Sequence, residues 1–233
     1  KTECGVGTIT WATIIAFNKE AFSGPKPATM ADFFDLDKFP GKRGVRKSPK
    51  VMLEFALIAD GVPAAKVYDV METEEGIDRA FKKLESIKGD IVWWESGSQP
   101  PQLLADGEVT MSAAWNGRIQ SAIDNENQPL EIIWDGQNLD FDMWVIPKGT
   151  KNLDKAYDFI AFASDPKYMG KQHEYIGYGP VTNDAGKMIV KPELAAKLPS
   201  APVNMANWVP HNNEYWADNF DDLNERFLAW ISQ

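Results

Sequence analysis

The chain has few of the residues that mark disulfide-stabilised, metal-rich or nucleic-acid-binding proteins. Its 233 residues include one cysteine, Cys4, and two histidines. A single cysteine excludes a disulfide scaffold or a cysteine-rich metal site within the chain. The 24 Lys and Arg residues are outnumbered by 34 Asp and Glu residues, for a formal net charge of −10. This balance offers no basic stripe and argues against a nucleic-acid partner.

Long apolar segments and common catalytic motifs are also missing. The apolar stretch 9–17 is interrupted by Thr10 and Thr13 and is too short to span a bilayer. The sequence contains no nucleophile elbow, phosphate loop, His-Glu-x-x-His motif or calcium loop. We therefore expect no catalytic residue, no metal and no cofactor. The chain begins at Lys1 without a visible signal peptide, so we expect a removed targeting segment or a fragment.

What is present is an alternation of strand-like and helix-like segments, with nine tryptophans. The β-branched segment 7–17 predicts a strand, and the runs 130–134 and 143–147 predict two more. Ser48 followed by Pro49 predicts the start of a helix that runs to about Ala59. Together these patterns indicate an α/β architecture with at least one mixed or parallel sheet.

Two predicted helix starts carry cationic side chains. Arg46, Lys47 and Ser48 follow one strand, and the segment 115–118, Trp-Asn-Gly-Arg, follows another, with Asn116 as a possible cap. Helix N-termini with an arginine can hold an anionic group such as a carboxylate. The alternative is that Arg46 and Lys47 are solvated and Arg118 pairs with a nearby acid. Both interpretations stay open from composition alone.

Five segments of the sequence resemble a known family, the extracellular solute-binding proteins of bacterial ABC transporters, in particular the spermidine/putrescine-binding group. Each motif is weak alone, but together they follow the family order over essentially the whole chain. The segments that carry the resemblance are ECGVGTITWATIIAFN (3–18), FPGKRGVRKSPKVMLEFAL (39–57), LLADGEVTMSAAWNGRI (103–119), FDMWVIPKGTKNLDKAYDFIAF (141–162) and IGYGPVTN (176–183).

The resemblance implies a type II periplasmic-binding-protein fold, in which two α/β lobes close on a hinge around a ligand. Family members carry a further N-terminal stretch, so the first lobe is expected to be incomplete. By this analogy residues 1–20 and 142–186 form part of lobe 1, and residues 21–141 and 187–233 form lobe 2. Cys4 is then expected to have lost a pairing partner, if it had one, with the missing stretch.

The ligand-binding roles known in the family can be expected here only for residues whose positions match the family motifs. Trp115 matches a tryptophan that stacks on the ligand's aliphatic chain, and Asp142 matches an aspartate that pairs with a ligand ammonium. Tyr178 matches a cleft tyrosine, and Ser98 matches a polar cleft position approximately. These roles are implied by the resemblance and are not read from spacing.

One departure from the family pattern changes the expected ligand. Polyamine binders place acids at the turn where this chain has Arg46, Lys47 and Ser48, and Arg118 adds a further cation. A polyamine beside unpaired cations would be costly to bury. Asp142 still offers one ammonium partner. We therefore predict a zwitterionic amino-carboxylate, such as a γ- or ω-amino acid, or an organic acid.

The predicted protein is thus a non-enzymatic periplasmic receptor, a monomer that delivers a small molecule (polyamine, amino acid or organic acid) to a membrane permease. Its affinity would come from aromatic walls and a few placed charges. One alternative is a carbohydrate-active hydrolase with tryptophan platforms and Glu95 and Asp142 as its carboxylates. Another keeps the fold and binds ferric iron through Tyr175 and Tyr178.

Overall fold

The computed structural model describes residues 4–189 and 191–233. Its centre is a seven-stranded mixed sheet with the path β3-β2-β4-β1-β5-β7, and β6 pairs with β1 at one side. The strands are β1 (Val6–Asn18), β2 (Arg43–Arg46), β3 (Ile91–Trp94), β4 (Met111–Trp115), β5 (Leu130–Trp144), β6 (Gly179–Pro180) and β7 (Val209–Pro210).

Helices cover both faces of this sheet. The longer ones are α2 (Met52–Ala59), α4 (Glu74–Glu85), α5 (Gln99–Ala105), α6 (Asn116–Glu126), α7 (Leu153–Ala163) and α11 (Asn213–Ile231). The short ones are α1 (Met30–Phe34), α3 (Val67–Met71), α8 (Pro166–Met169), α9 (Asn183–Gly186) and α10 (Pro192–Ala195). Within the described residues, no helix combines the length and apolar character needed to cross a membrane.

Strand β1 explains how one sheet supports two cores. Ile15 and Phe17 point into the larger core, which also holds side chains of α1–α4 and α11. Ile14 and Ala16 point the other way, into a smaller core shared with α5 and α6. Successive side chains of a strand face opposite sides, so a β1 that is apolar on both sides is buried between two layers. The predicted strand over 7–17 and the α/β class are confirmed.

The prediction of two separate strands at 130–134 and 143–147 is wrong. One strand, β5, runs from Leu130 to Trp144 and pairs antiparallel with β1 along its length. The polar residues between the two apolar runs are held inside the sheet rather than in a loop. Gln137 is fully buried and donates to the carbonyls of Pro199 and Asn204 at 3.0 and 2.7 Å. Gly136, with a φ of +72°, allows the bulge that shifts the register.

The predicted start of helix α2 is also wrong, although its end at Ala59 is confirmed. The helix begins at Met52, and its N-cap is Val51, whose side chain makes no capping hydrogen bond. Residues Ser48 and Pro49 belong to a tight turn before the helix. The amide of Ser48 donates to the carbonyl of Arg46 at 2.8 Å, which closes the chain on itself before a helix can form.

Candidate functional site

Three parallel strands end together at one edge of the sheet. Strand β2 pairs with β3 and β4 in parallel, and Arg46 at the end of β2 lies opposite Trp94 at the end of β3. Trp115 closes β4 and lies opposite Thr13 of the antiparallel strand β1. In open α/β sheets, ligands bind outside the carboxyl ends of the strands. A ligand site is therefore expected at this edge of the sheet.

Trp115 is the centre of this edge. Its ring makes edge contacts with Trp94 and Trp11, at centroid distances of 6.0 and 6.1 Å. The Arg46 guanidinium carbon lies 5.5 Å from the centre of the Trp115 ring, a cation–π contact. A Cβ on Gly97 would lie 2.1 Å from Cζ3 of Trp115, so only glycine leaves room for the indole there. Contacts on several sides thus fix the orientation of this half-buried ring.

Arg46 is a partly buried cation without an anionic partner among the described residues. Burial lowers the pKa of its guanidinium below the ordinary value. Across residues 4–189 and 191–233, its side chain forms no hydrogen bond and no ion pair with another residue. An arginine carries five donors, and leaving them desolvated and unused costs free energy. A carboxylate or phosphate would satisfy them.

At the other end of the tryptophan pair stands an acid. The indole nitrogen of Trp11 donates to Oδ1 of Asp142 at 2.9 Å. On the sheet, Trp11 is opposite Asp140 and Ile9 is opposite Asp142, so Trp11 and Asp142 are diagonal neighbours on one face. Asp142 is exposed to solvent. An unbroken series of contacts therefore runs from Arg46 through Trp115 and Trp11 to Asp142.

Asn116 does not cap helix α6, contrary to the sequence prediction. The helix starts at Asn116 itself, after Trp115 as N-cap. The Asn116 side chain is fully buried: its oxygen accepts from the amide of Ala12 at 2.9 Å, and its nitrogen donates to the carbonyl of Gly177 at 2.6 Å. This amide therefore ties strand β1 and the segment before β6 to the start of α6.

Tyr178 is placed against that same first turn. A Cβ on Gly117 would lie 2.3 Å from Cε1 of Tyr178, so glycine is needed for the ring to pack. Burial raises the pKa of the Tyr178 phenol; the charge of Arg118 lowers it and the charge of Asp142 raises it further. Arg118 and Asp142 thus both face Tyr178. In the part of the chain that the structure describes, exposed Arg118 makes no hydrogen bond or ion pair.

The remaining predicted residues lie around Trp115, and they differ in burial and in whether they already have a partner. Ser48 is buried next to Arg46. Lys47 is already engaged by Glu95, with 3.9 Å between Nζ and a carboxylate oxygen. The hydroxyl of Ser98 is 3.0 Å from that of Ser96. Ser98 and Arg118 line a polar cavity of about 330 Å³ between α5 and α6.

Sequence reasoning missed four residues that build the site. From the sequence, no site role is assigned to Trp11, Trp94 or Gly97, and Gly117 is considered only as part of the segment 115–118. The register of β1 against β4 and β5 decides which side chains of β1 reach the edge. A strand that is apolar on both faces does not reveal that register in its sequence. The need for glycine at positions 97 and 117 follows only from the positions of the rings of Trp115 and Tyr178.

Comparison with known proteins shows the family of the chain. Residues 1–202 match the family described as bacterial extracellular solute-binding protein. The gamma-aminobutyric acid-binding protein of Pseudomonas aeruginosa is 44% identical over 232 residues, which covers 100% of this chain. The chain spans 65% of the length of that relative.

Solved structures show the same architecture. MotA from A. tumefaciens B6, a periplasmic binding protein solved with glucopine, superposes with a TM-score of 0.90 at 34% identity, over 99% of this chain and 72% of that chain. The Atu4243–GABA receptor superposes with a TM-score of 0.84 at 38% identity, over 99% of this chain and 69% of that chain. The expected periplasmic-binding-protein fold is confirmed, with partial coverage that fits an incomplete lobe. The chain belongs to the bacterial extracellular solute-binding protein family.

Proposed function

We propose that the protein captures a zwitterionic amino-carboxylate of the γ- or ω-amino-acid class for an ABC importer, and that it does so at the Trp115 edge of the sheet. The observation that carries this proposal is Arg46, a partly buried cation over Trp115 with no anionic partner among the described residues. Asp142 supplies the opposite charge at the far end of the tryptophan pair.

The arrangement of the two charges favours a ligand with separated ends. In an α-amino acid the ammonium and the carboxylate are on one carbon, whereas here the contacts that link the cation to the acid pass through two indoles. A polyamine would bring an ammonium against Arg46 and Arg118, and a dicarboxylate would bring a second anion against Asp142. Either mismatch places like charges side by side.

Each site residue then has a distinct role. Arg46, with the neighbouring Ser48 hydroxyl, binds the ligand carboxylate, and Arg118 adds positive potential from the start of α6. Trp115 and Tyr178 line the aliphatic part, and Asp142 accepts from the ammonium. The proposal gives Lys47 and Ser98 only rim positions, since each already has a partner.

The relatives support this ligand class, because one is named as a gamma-aminobutyric acid-binding protein and another is described as a GABA receptor. No observation favours the hydrolase alternative: of its two carboxylates, Glu95 faces Lys47 and Asp142 faces Trp11. A periplasmic location, a monomeric state and delivery to a membrane permease complete the proposal, and they concern the whole protein rather than this chain alone.

The proposal includes the lobe division at 1–20 with 142–186 and 21–141 with 187–233, of which residues 1–3 and 190 lie outside the described residues. Ten of the twelve exposed large apolar side chains in the described chain lie between 141 and 188. Helix α7 buries none of its residues. Such an apolar surface favours the presence of further polypeptide over this region in the whole protein. Strand β1 crosses between the lobes, since its C-terminal half pairs with β4.

Titration calorimetry on the full-length protein tests the ligand with charge-deletion analogues. We expect γ-aminobutyrate to bind, and butyrate and putrescine, which lack one of the two required charges, to bind at least about tenfold more weakly. Arg46→Met should weaken γ-aminobutyrate binding by on the order of 10²-fold, the size expected for losing a charge-assisted hydrogen-bond pair. Arg79→Met, which removes an exposed arginine paired with Asp60 away from the site, is the matched control. Tight putrescine binding with no response to γ-aminobutyrate would overturn the proposal.

A further inference from the structure

Strand β1 has a gap in its pairing beside the cleft. On one side it pairs with β5 along its length, and on the other side it pairs first with β6 and then with β4. The last pair with β6 joins Thr10 to Gly179, and the first pair with β4 joins Thr13 to Trp115. Over the described residues, positions 11 and 12 therefore have no strand partner on that side. A buried strand amide without an acceptor costs free energy.

The carboxamide of Asn116 fills this gap. Its oxygen accepts from the amide of Ala12 at 2.9 Å, and its nitrogen donates to the carbonyl of Gly177 at 2.6 Å. Continuing the antiparallel register from Thr10 opposite Gly179 places Ala12 opposite Gly177. The fully buried side chain thus presents one acceptor and one donor between two backbone segments, as a peptide group of an intervening strand would.

The segment 176–178 lies directly on helix α6. A Cβ on Gly177 would lie 2.9 Å from both Cβ and Cγ of Gln120. A Cβ on Gly117 would lie 2.3 Å from Cε1 of Tyr178. Glycine at both positions lets the segment and the helix approach this closely.

The polar attachment of this segment to the helix comes from Asn116. Counting the residues that the structure describes, the bond to Gly177 is the one hydrogen bond between segment 176–178 and α6. Gln120 directs its amide nitrogen to the carboxylate of Asp124 at 2.8 Å instead. Without the Asn116 donor, van der Waals contact alone would hold the segment on α6.

We propose that Asn116 is a positioning residue for Tyr178. Its amide holds segment 176–178 on the first turn of α6, and this sets the Tyr178 ring against Gly117, two residues from Trp115 in the chain. The role rests on the proposed function, because the position of Tyr178 affects affinity only if its ring lines the aliphatic part of the ligand. Asn116 acts through that ring and is itself buried away from solvent.

Asn116→Asp separates the two bonds with almost no change of shape. An ionised carboxylate still accepts from Ala12 but turns an oxygen toward the carbonyl of Gly177, which repels it. The protonated acid supplies an O–H that can donate to that carbonyl. Burial disfavours the charged form, so the pKa of the new carboxyl should lie well above the ordinary value of about 3.9. The variant should therefore lose the attachment at pH 8 and regain it at pH 5.

Nuclear Overhauser effects in the ligand-free, full-length protein test this expectation. The readout is the effect between the α protons of Gly117 and the ring protons of Tyr178. We expect it in the wild type at pH 5 and pH 8, and in Asn116→Asp at pH 5 only. Asn125→Asp is the matched control on the same helix, where exposed Asn125 donates to Ser121 at 3.1 Å, and it should keep the effect at both pH values. An effect that persists in Asn116→Asp at pH 8 would overturn the inference.

A measurement on the wild type covers the case in which Asn116→Asp does not fold. The Nδ2 protons of buried, bonded Asn116 should exchange with solvent on the order of 10²-fold more slowly than those of exposed Asn125. Equal exchange rates for the two side chains would contradict the bridge to Gly177.

Calorimetry with γ-aminobutyrate connects the position of the ring to affinity. Relative to the wild type at the same pH, Asn116→Asp should bind about tenfold more weakly at pH 8 and within about twofold at pH 5. The charges of Arg118 and Asp142, which act on Tyr178, are common to both proteins and cancel in the ratio. A ratio that does not change with pH would mean that Asn116 has a purely structural role.

A double-mutant cycle shows whether Asn116 acts through the ring of Tyr178. In a Tyr178→Leu background, Asn116→Asp should weaken γ-aminobutyrate binding by less than about twofold at pH 8. A full tenfold loss in that background would mean that the new charge acts on the ligand directly, against the inference. If the wild type binds no γ-aminobutyrate at either pH, the proposed function fails, and the Overhauser effect still decides the role of Asn116.

Discussion

The indole nitrogen of Trp11 donates a 2.9 Å hydrogen bond to one carboxylate oxygen of Asp142. The two residues come from strands that are adjacent in the sheet but 131 positions apart in the chain. This bond orients Asp142 toward Trp11, whose ring in turn contacts Trp115. In the proposed site this bond holds the acid in place before a ligand arrives, which reduces the cost of ordering it on binding.

Replacing Trp11 by phenylalanine separates the hydrogen bond from the aromatic surface. Trp11→Phe keeps a ring beside Trp115 but removes the donor to Asp142, so we expect affinity for γ-aminobutyrate to fall about three- to tenfold, the effect of one ordinary hydrogen bond. Calorimetry at neutral pH measures the change. Trp208→Phe, at a half-buried tryptophan of the segment before β7, is the control and should bind as the wild type does. Equal affinity of Trp11→Phe and the wild type would mean that Asp142 needs no such support.

The contact of Gly97 with Trp115 predicts a sharp effect from one methyl group. Gly97→Ala would place a Cβ 2.1 Å from Cζ3 of Trp115, which forces the indole to move. Because that ring lies under Arg46 and beside Trp11, we expect about a tenfold loss of γ-aminobutyrate affinity with a smaller change in stability. Gly89→Ala is matched to it, since nothing lies within 4 Å of a Cβ at Gly89. Thermal unfolding together with calorimetry distinguishes the two effects, and an unaffected affinity in Gly97→Ala would show that Trp115 does not contact the ligand.

The buried carboxyl of Glu54 also predicts a pH dependence of stability. Burial raises its pKa from 4.5 in the unfolded chain to about 7 in the fold. A raised pKa means that the folded state binds the proton more tightly, so the stabilisation is complete below pH 4.5 and is lost as the pH rises to about 7. The free energy of unfolding should fall by on the order of 3 kcal/mol across that window from this group alone. A glutamine at position 54 cannot ionise, so Glu54→Gln should remove this part of the pH dependence of the free energy of unfolding.

Chemical unfolding at several pH values between 5 and 8 measures that slope as the difference between wild type and variant. Subtracting the two profiles cancels the groups that both proteins share. A difference that stays constant with pH would mean that Glu54 is ionised throughout or reached by water.

The sequence predicted the fold well wherever a local pattern matched the tertiary outcome. The β-branched stretch over 7–17 formed β1, the strand that its pattern indicates. The pattern failed where long-range contacts supplied partners for polar residues. Gln137 lies between the two predicted strands, but its amide nitrogen donates to two distant carbonyls inside β5. Asn116 resembled a cap, but it bridges Ala12 and Gly177 instead.

For the candidate site, the sequence by itself determined the chemical types: two arginines after strands, a tryptophan at a strand end and one acid in an apolar run. Together with the family resemblance, these types favoured a ligand with one carboxylate and one ammonium over a polyamine. Only the tertiary structure decided which of the charges are free. Lys47 meets Glu95, while Arg46 is left over Trp115 without an anion among the described residues. It also decided that Trp11, Asp142 and Tyr178 converge there, because strand register and crossing connections join residues that no local pattern relates.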